Sequence, residues 1–306
     1  MSGIRTSSRP SSPDGDEQSF AAGDDGTRLY VRSKTGAHPP EAVRAFFCDG
    51  IVCEGFIWKY LWEDLATLAP LVHWNYRGHG RSSPPRDADR IDIGAHCSDL
   101  VAVRKHVGDP PAVLVGHSMG CQVALECAHT NPDKVRGLVL ICGTYGRVTR
   151  TVRGVPVLEW VLPKIVELAT KRSHVLRAIW SRIPPEMAFR LALRTGDIDP
   201  EKIRAEDMIP YFREMAQIDA TMFVRMLKAA GEHDAEPYLK DITVPTLIIA
   251  GERDMLTPPF LSEAMARELP NSELFIVPGG THVAPIEQPA IFQERIRQFW
   301  REKIAP

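Results

Sequence analysis

Residues 112–128 read AVLVGHSMGCQVALECA. Ala112 to Val115 form a short continuous apolar run, Gly116-His117-Ser118-Met119-Gly120 interrupt it, and a helical pattern begins at Cys121. Such a run, bounded by a glycine turn, reads as a strand buried on both faces. A Gly-x-Ser-x-Gly stretch between strand and helix places the serine on a tight, strained turn. Glycine on either side lets the two backbones approach without a Cβ clash. Ser118 is then thrust out of the sheet at a helix N-terminus, where backbone N–H groups favour developing negative charge.

The alternation of buried run and helix extends in both directions. Upstream lie VRAFFC (43–48), IWKYLWEDLATL (57–68), LVHW (71–74) and IDIGAHCSDLVAVRKHV (91–107); VRGLVLIC (135–142) follows. It returns near the C-terminus as TLIIAG (246–251), FLSEAMAREL (260–269), ELFIVPG (273–279) and PAIFQERIRQFW (289–300). Apolar runs alternating with helices predict an α/β protein whose parallel sheet is covered on both faces, with both blocks in one sheet. Thr27 to Lys34 alternates polar with apolar residues behind Asp25-Gly26, which predicts a half-exposed, antiparallel early strand. Between the blocks, residues 146–240 carry helical patterns such as VLEWVLPKIVELAT and YFREMAQIDATMFVRMLKAA and almost no strand signal. They read as an inserted helical subdomain, too long for a loop and placed where lids and binding surfaces occur.

The 306 residues are 44% hydrophobic and 25% charged, the composition of a globular chain with a large core. Thirty-seven Lys and Arg against 39 Asp and Glu leave a net charge of -2, so no basic field exists to hold nucleic acid. No stretch approaches the roughly 20 apolar residues that cross a bilayer. Residues 1–19 lack the apolar segment of a secretory signal, and Asp14, Asp16 and Glu17 oppose a transit peptide; they read as a disordered, solvated tail. The six cysteines, Cys48, Cys53, Cys97, Cys121, Cys127 and Cys142, show no C-x-x-C spacing and sit mostly in apolar runs. They predict a reduced, cytoplasmic protein with buried thiols.

With the serine turn in its strand-to-helix context, the chain resembles the α/β-hydrolase superfamily from about residue 20 to 302, in its serine-nucleophile, esterase-like and lipase-like branch. The resemblance implies a mostly parallel central sheet with helices on both faces, a core of residues 20–145 and 241–306, and a helical cap at 146–240. In that superfamily the order is Ser, then acid, then His. TLIIAGERDMLTPP supplies Asp254, with Glu252 as a competing acid, and LFIVPGGTHVAPIEQP supplies His282. His117 is a rival only in sequence, because a neighbour on the elbow points away from the nucleophile. A serine hydroxyl needs an imidazole to take its proton, and the imidazole needs an acceptor that fixes its tautomer. Ser118, His282 and Asp254 fill these roles.

The resemblance also implies an oxyanion loop after VRAFFC, and it assigns the backbone donors to Ile51 and Met119. That loop reads Cys48-Asp49-Gly50-Ile51-Val52-Cys53-Glu54-Gly55, with Asp49 where the family usually has His. Asp49 reads as an Asx-type turn residue rather than a catalytic one. Asn75-Tyr76-Arg77-Gly78-His79-Gly80-Arg81-Ser82 resembles the family's D-x-R-G-x-G-x-S loop with Asn for Asp, and Arg77 and His79 are expected to bond loop backbone.

A serine nucleophile excludes the alkyl-enzyme chemistry of aspartate-bearing relatives and leaves acyl chemistry on carboxylic esters and kindred acyl bonds. The leading expectation is a carboxylesterase that needs no metal or organic cofactor and acts on a small, apolar acyl substrate. Acyl transfer, C–C bond hydrolysis and a non-catalytic ligand receptor on the same fold remain alternatives. Trp160, Trp180, Tyr211 and Phe223, with Phe189, Met215 and Met222, are candidates to line an acyl pocket; their helical spacing equally suits the insertion's own core. Gly146 to Arg177 carries seven Lys or Arg and two Asp or Glu. This charge reads as a solvated face in preference to a peripheral membrane contact.

Overall fold

The computed structural model describes residues 15–146 and 182–305. Eight strands form one sheet: β1 (Glu17–Ala22), β2 (Arg28–Lys34), β3 (Arg44–Cys48), β4 (Leu71–Trp74), β5 (Ala112–His117), β6 (Val135–Ile141), β7 (Thr246–Gly251) and β8 (Ser272–Val277). Their order is β1-β2-β4-β3-β5-β6-β7-β8. From β4 to β8 every pairing is parallel, while β2 runs antiparallel to both β1 and β4. Leu138 of β6 pairs with Thr246 of β7, so the blocks before and after the insertion share one sheet.

The apolar runs are buried on both faces because successive side chains point to opposite sides. Phe46, Leu114, Leu138 and Leu140 join one core layer, and Phe47, Val113, Val115 and Val139 join the other. The first layer is covered by α1 (Ile93–His106) and α2 (Met119–Thr130), and the second by residues such as Phe292 and Phe299 of α7 (Pro289–Phe299). α1 starts at Asp92, whose carboxylate accepts the Ala95 N–H at 2.7 Å, and it ends on Arg104, Lys105 and His106, charges that suit the helix dipole.

The described part of the insertion holds α3 (Pro185–Thr195), α4 (Ala205–Met215) and α5 (Ala220–Glu232); α6 (Pro259–Glu268) follows β7. The stretch YFREMAQIDATMFVRMLKAA is two helices and not one. Asp219 breaks it by capping α5, accepting the Thr221 and Met222 N–H groups at 2.9 and 3.0 Å.

Residues 17–19, assigned to a disordered tail, belong to β1, and Asp16 is buried against Arg32 and the Trp62 indole. Residues 1–14 lie outside the described residues. All six cysteines are buried free thiols. Among the described residues no helix is long and apolar enough to cross a membrane.

Candidate active site

Ser118 joins β5 to α2 at φ 55°, ψ -119°, a strained backbone for a residue with a Cβ. The flanking glycines are obligatory. A Cβ on Gly116 would lie 2.5 Å from the Gly120 carbonyl oxygen, and one on Gly120 would lie 2.0 Å from that of Cys48. The turn is tied down where it is strained: the Ser118 N–H donates to the Ile141 carbonyl at 3.0 Å, and the Cys121 N–H donates to the Ser118 carbonyl at 3.1 Å.

The structure brings together the three side chains selected from the sequence. Ser118 Oγ is 3.0 Å from His282 Nε2, and His282 Nδ1 is 2.9 Å from Asp254 Oδ2. With the acceptor-only carboxylate facing Nδ1, the consistent tautomer donates Nδ1–H to Asp254 and leaves Nε2 to accept the serine proton. Burial raises the cost of charge on Asp254, but His282 and the Thr257 donors outweigh it and hold the carboxyl below its ordinary range. Asp254 also performs its turn role: Oδ1 accepts the Leu256 and Thr257 N–H groups, each at 2.9 Å, and Oδ2 accepts the Thr257 hydroxyl at 2.8 Å. Glu252 is engaged elsewhere, accepting the Gly279 N–H at 2.7 Å. Thr257 escaped the sequence reading, although a hydroxyl three residues after a turn aspartate was the available signal.

His117 makes no hydrogen bond to Ser118 Oγ, yet it is not turned from the site. Its Nε2–H donates to the His282 carbonyl at 2.9 Å, and the two rings lie 4.9 Å apart. Burial, then repulsion from His282, lowers its pKa to about 3, so it stays neutral. The chain next to His282 is held by Glu287, which accepts the Thr281 N–H at 3.1 Å and the Thr281 hydroxyl at 2.7 Å.

The loop after β3 passes close to Ser118, where a Cβ on Gly50 would stand 3.2 Å from Ser118 Cβ. The Ile51 N–H has no protein acceptor among the described residues. Met119 is the first residue of α2, where the N–H has no intrahelical partner. The Asx-type reading of Asp49 is corrected: its carboxylate reaches outward. Oδ1 accepts the Trp58 indole N–H at 2.7 Å, Oδ2 meets His73 Nε2 at 2.7 Å, and the Asp49 carbonyl accepts the Tyr76 hydroxyl at 2.9 Å. Arg77 likewise bonds chiefly a carboxylate, that of Asp99 at 2.7 and 2.6 Å, besides the Arg90 carbonyl at 2.9 Å. His79 bonds loop backbone as expected, through the Arg77 carbonyl at 3.0 Å.

Ser118 and His282 open on a cavity of about 280 Å³ with a predominantly apolar wall. Ile51, Cys53 and Phe56 line it from the loop after β3, Ala192, Met208, Tyr211, Phe212 and Leu227 from the insertion, and Leu256 and Val283 from the loops after β7 and β8. Of the aromatic candidates, Tyr211 lines the cavity, stacked on Phe56 with ring centroids 4.3 Å apart. Phe223 does not; Leu227, one turn further along α5, faces the cavity instead. Trp160 and Trp180 lie outside the described residues. Burial, reinforced by Asp49, pushes the Cys53 thiol up, so it is no competing nucleophile. Beside this wall, half-buried Glu214 is pushed up to about 7 by burial and by Glu54 and Asp49.

A family model described as the alpha/beta hydrolase family matches residues 49–294. The chain is 28% identical to lipase LipV of Mycobacterium tuberculosis, over 66% of this chain and 80% of that protein. It is 24% identical to polyketide synthase ThaQ of Burkholderia thailandensis over 85% of this chain, spanning only 12% of the synthase. Among solved structures, the esterase EaEST from Exiguobacterium antarcticum superposes with a TM-score of 0.73 at 20% identity, covering 93% of this chain and 99% of the esterase.

Proposed function

We propose that this chain, which belongs to the alpha/beta hydrolase family, is a serine carboxylesterase with Ser118 as nucleophile, His282 as base and Asp254 as its orienting acid. The observation that carries this reading is the continuous chain of contacts from Ser118 Oγ to His282 Nε2 at 3.0 Å and from His282 Nδ1 to Asp254 at 2.9 Å, opening on an apolar cavity. As Oγ attacks an acyl carbon, Nε2 takes its proton, and Asp254 stabilises the imidazolium without being protonated itself. The carbonyl oxygen, now an oxyanion, takes hydrogen bonds from the Ile51 and Met119 N–H groups. Collapse expels the alcohol, which recovers the proton from Nε2. Water, activated by the same imidazole, then releases the acid. Residues 146–240 act as a cap whose apolar side chains receive the acyl chain, so neutral, apolar esters fit and strongly charged acyl groups do not.

The deciding experiment is covalent labelling by a fluorophosphonate, read by intact mass and peptide mapping. Label on Ser118, absent in Ser118→Ala, together with a loss of ester turnover on the order of 10⁶-fold in that variant and in His282→Ala, is the expected result. Near-normal turnover by either variant, with the fold intact by circular dichroism, refutes the assignment.

A further inference from the structure

Among the described residues, the exposed large apolar side chains are Ile183, Met187, Leu191, Met255 and Phe260. Single exposed apolar residues are ordinary, but these five fall in two short segments, 183–191 and 255–260. Ile183 precedes α3, and Met187 and Leu191 lie four residues apart on one of its faces, 53% and 61% exposed. Met255 and Phe260 flank Leu256 and Thr257, which line the cavity at Ser118, just as Leu191 adjoins the cavity residue Ala192. The loops adjoining the two segments meet, with Arg253 3.5 Å from the Asp199 carboxylate. The exposed apolar side chains thus belong to the two segments that build one side of the cavity.

α3 is apolar on two faces. Ala188, Phe189, Ala192 and Leu193 pack inward against the core, and the Met187 and Leu191 face is left to the outside. Exposed Arg190 and Arg194, also four apart, run beside that outer face, with Glu186 the acid of the first turn. The sequence leading into and through α3 has the same sign: residues 146–195 hold ten Lys or Arg and three Asp or Glu in a chain whose net charge is -2, whereas residues 196–207, which follow the helix, hold five Asp or Glu and two Lys or Arg. Charge alone fits a solvated face. Charge beside an outward apolar stripe is the composition of a helix that lies in a lipid headgroup layer.

We propose that this rim docks the protein on an anionic phospholipid surface, with Met187 and Leu191 entering the headgroup layer and Arg190 and Arg194 meeting its phosphates. An apolar ester dissolved in the bilayer then reaches the cavity without crossing water. That use of the surface rests on the esterase reading; the docking itself does not, because it is measured without turnover.

The test is co-sedimentation of the full chain with vesicles of phosphatidylcholine, with and without phosphatidylglycerol. The expected result is binding that requires phosphatidylglycerol and weakens with salt. Arg190→Gln with Arg194→Gln should lower the partition coefficient about 25-fold, taking about fivefold for each arginine near an anionic surface. Met187→Asp with Leu191→Asp should lower it by about tenfold or more. Both double variants should keep the parent's turnover of a short, water-soluble ester. Absence of binding to the mixed vesicles, or binding unchanged in both variants, overturns the proposal. So does a dimer in sedimentation velocity that Met187→Asp with Leu191→Asp abolishes, because the face then belongs to a second copy. Vesicle binding by a protein whose Ser118 takes no fluorophosphonate would leave docking standing and the esterase reading refuted.

Discussion

Replacing Asp49 by alanine tests whether this residue, which departs from the family pattern, sets the oxyanion loop. The carboxylate is fully buried and holds two groups that cannot satisfy themselves, the Trp58 indole N–H and His73 Nε2, each at 2.7 Å. Alanine strands both in an apolar interior at a cost of about 1–3 kcal/mol each, so the variant should lose about 2–6 kcal/mol of stability. For a protein of this size that is a fall in Tm of roughly 5–15 °C. The catalytic effect should be separable. Asp49 lies two residues before Ile51, and its own carbonyl is anchored by Tyr76, so releasing the carboxylate loosens the loop without removing the donor. A misplaced oxyanion donor costs on the order of 10²-fold in kcat, felt in the transition state and not in the ground state. The assay is kcat and KM for an activated ester below the unfolding temperature, with Asp49→Asn as control. Asparagine keeps an acceptor for Trp58 and, with the other imidazole tautomer, a donor for His73 Nε2. We expect kcat to drop with KM nearly unchanged in alanine and to recover at least tenfold in asparagine. An alanine variant with kcat within about threefold of the parent refutes the idea that Asp49 positions the loop.

Gly120→Ala should not give soluble folded protein, because its Cβ would lie 2.0 Å from the Cys48 carbonyl oxygen; soluble, active Gly120→Ala would show that the elbow relaxes. His117 has a folded pKa of about 3 against 6.5 unfolded, so its neutral form stabilises the fold above about pH 6.5, and that contribution is lost as pH falls towards 3, at up to about 1.4 kcal/mol per pH unit. His117→Phe should therefore flatten the dependence of Tm on pH below 6.5, and an unchanged slope counts against it. Met208→Ala and Tyr211→Ala, both truncating the cavity wall, should shift kcat/KM towards longer acyl chains by about 1–3 kcal/mol per methylene accommodated. Identical chain-length profiles in parent and variants would place the acyl chain elsewhere.

The parts legible in the sequence are those whose physics is local. The serine turn must be built from consecutive residues, since its strain is relieved by glycines two positions away, and a strand buried on both faces must be a continuous apolar run. β1 has neither mark. Glu17–Ala22 begins with three polar residues and is mostly half-buried, and the contacts that order its start, Asp16 with Arg32 and Trp62, are made with distant residues. Asp49 was misread for the same reason: its partners stand 9 and 24 residues away, invisible to turn chemistry. Phe223 and Leu227 share a helical face, so periodicity could not choose between them. The choice is made by how far along the helix the cavity extends, a property of the packing.

The place of the cavity follows from the order of the strands. β3 and β5 are neighbours in parallel register, with Cys48 opposite Gly116, yet the chain leaves them in opposite directions. After β3 it turns to the layer holding Ile57, Trp58 and Leu61, on its way to β4 on one side. After β5 it turns to the layer holding Cys121, Val123 and Leu125, on its way to β6 on the other side. Two loops that diverge from adjacent strand ends leave a crevice between them, the position where open parallel sheets bind ligands. Here the crevice is flanked by the Gly50-Ile51 backbone and by Ser118. Because β7 and β8 run parallel to β5, their C-terminal ends deliver Asp254 and His282 to the same edge of the sheet. Had β7 or β8 run antiparallel to β5, the loop after it would have emerged at the far edge, out of reach of the serine. The parallel run from β5 to β8, more than any single contact, is what lets residues 118, 254 and 282 meet.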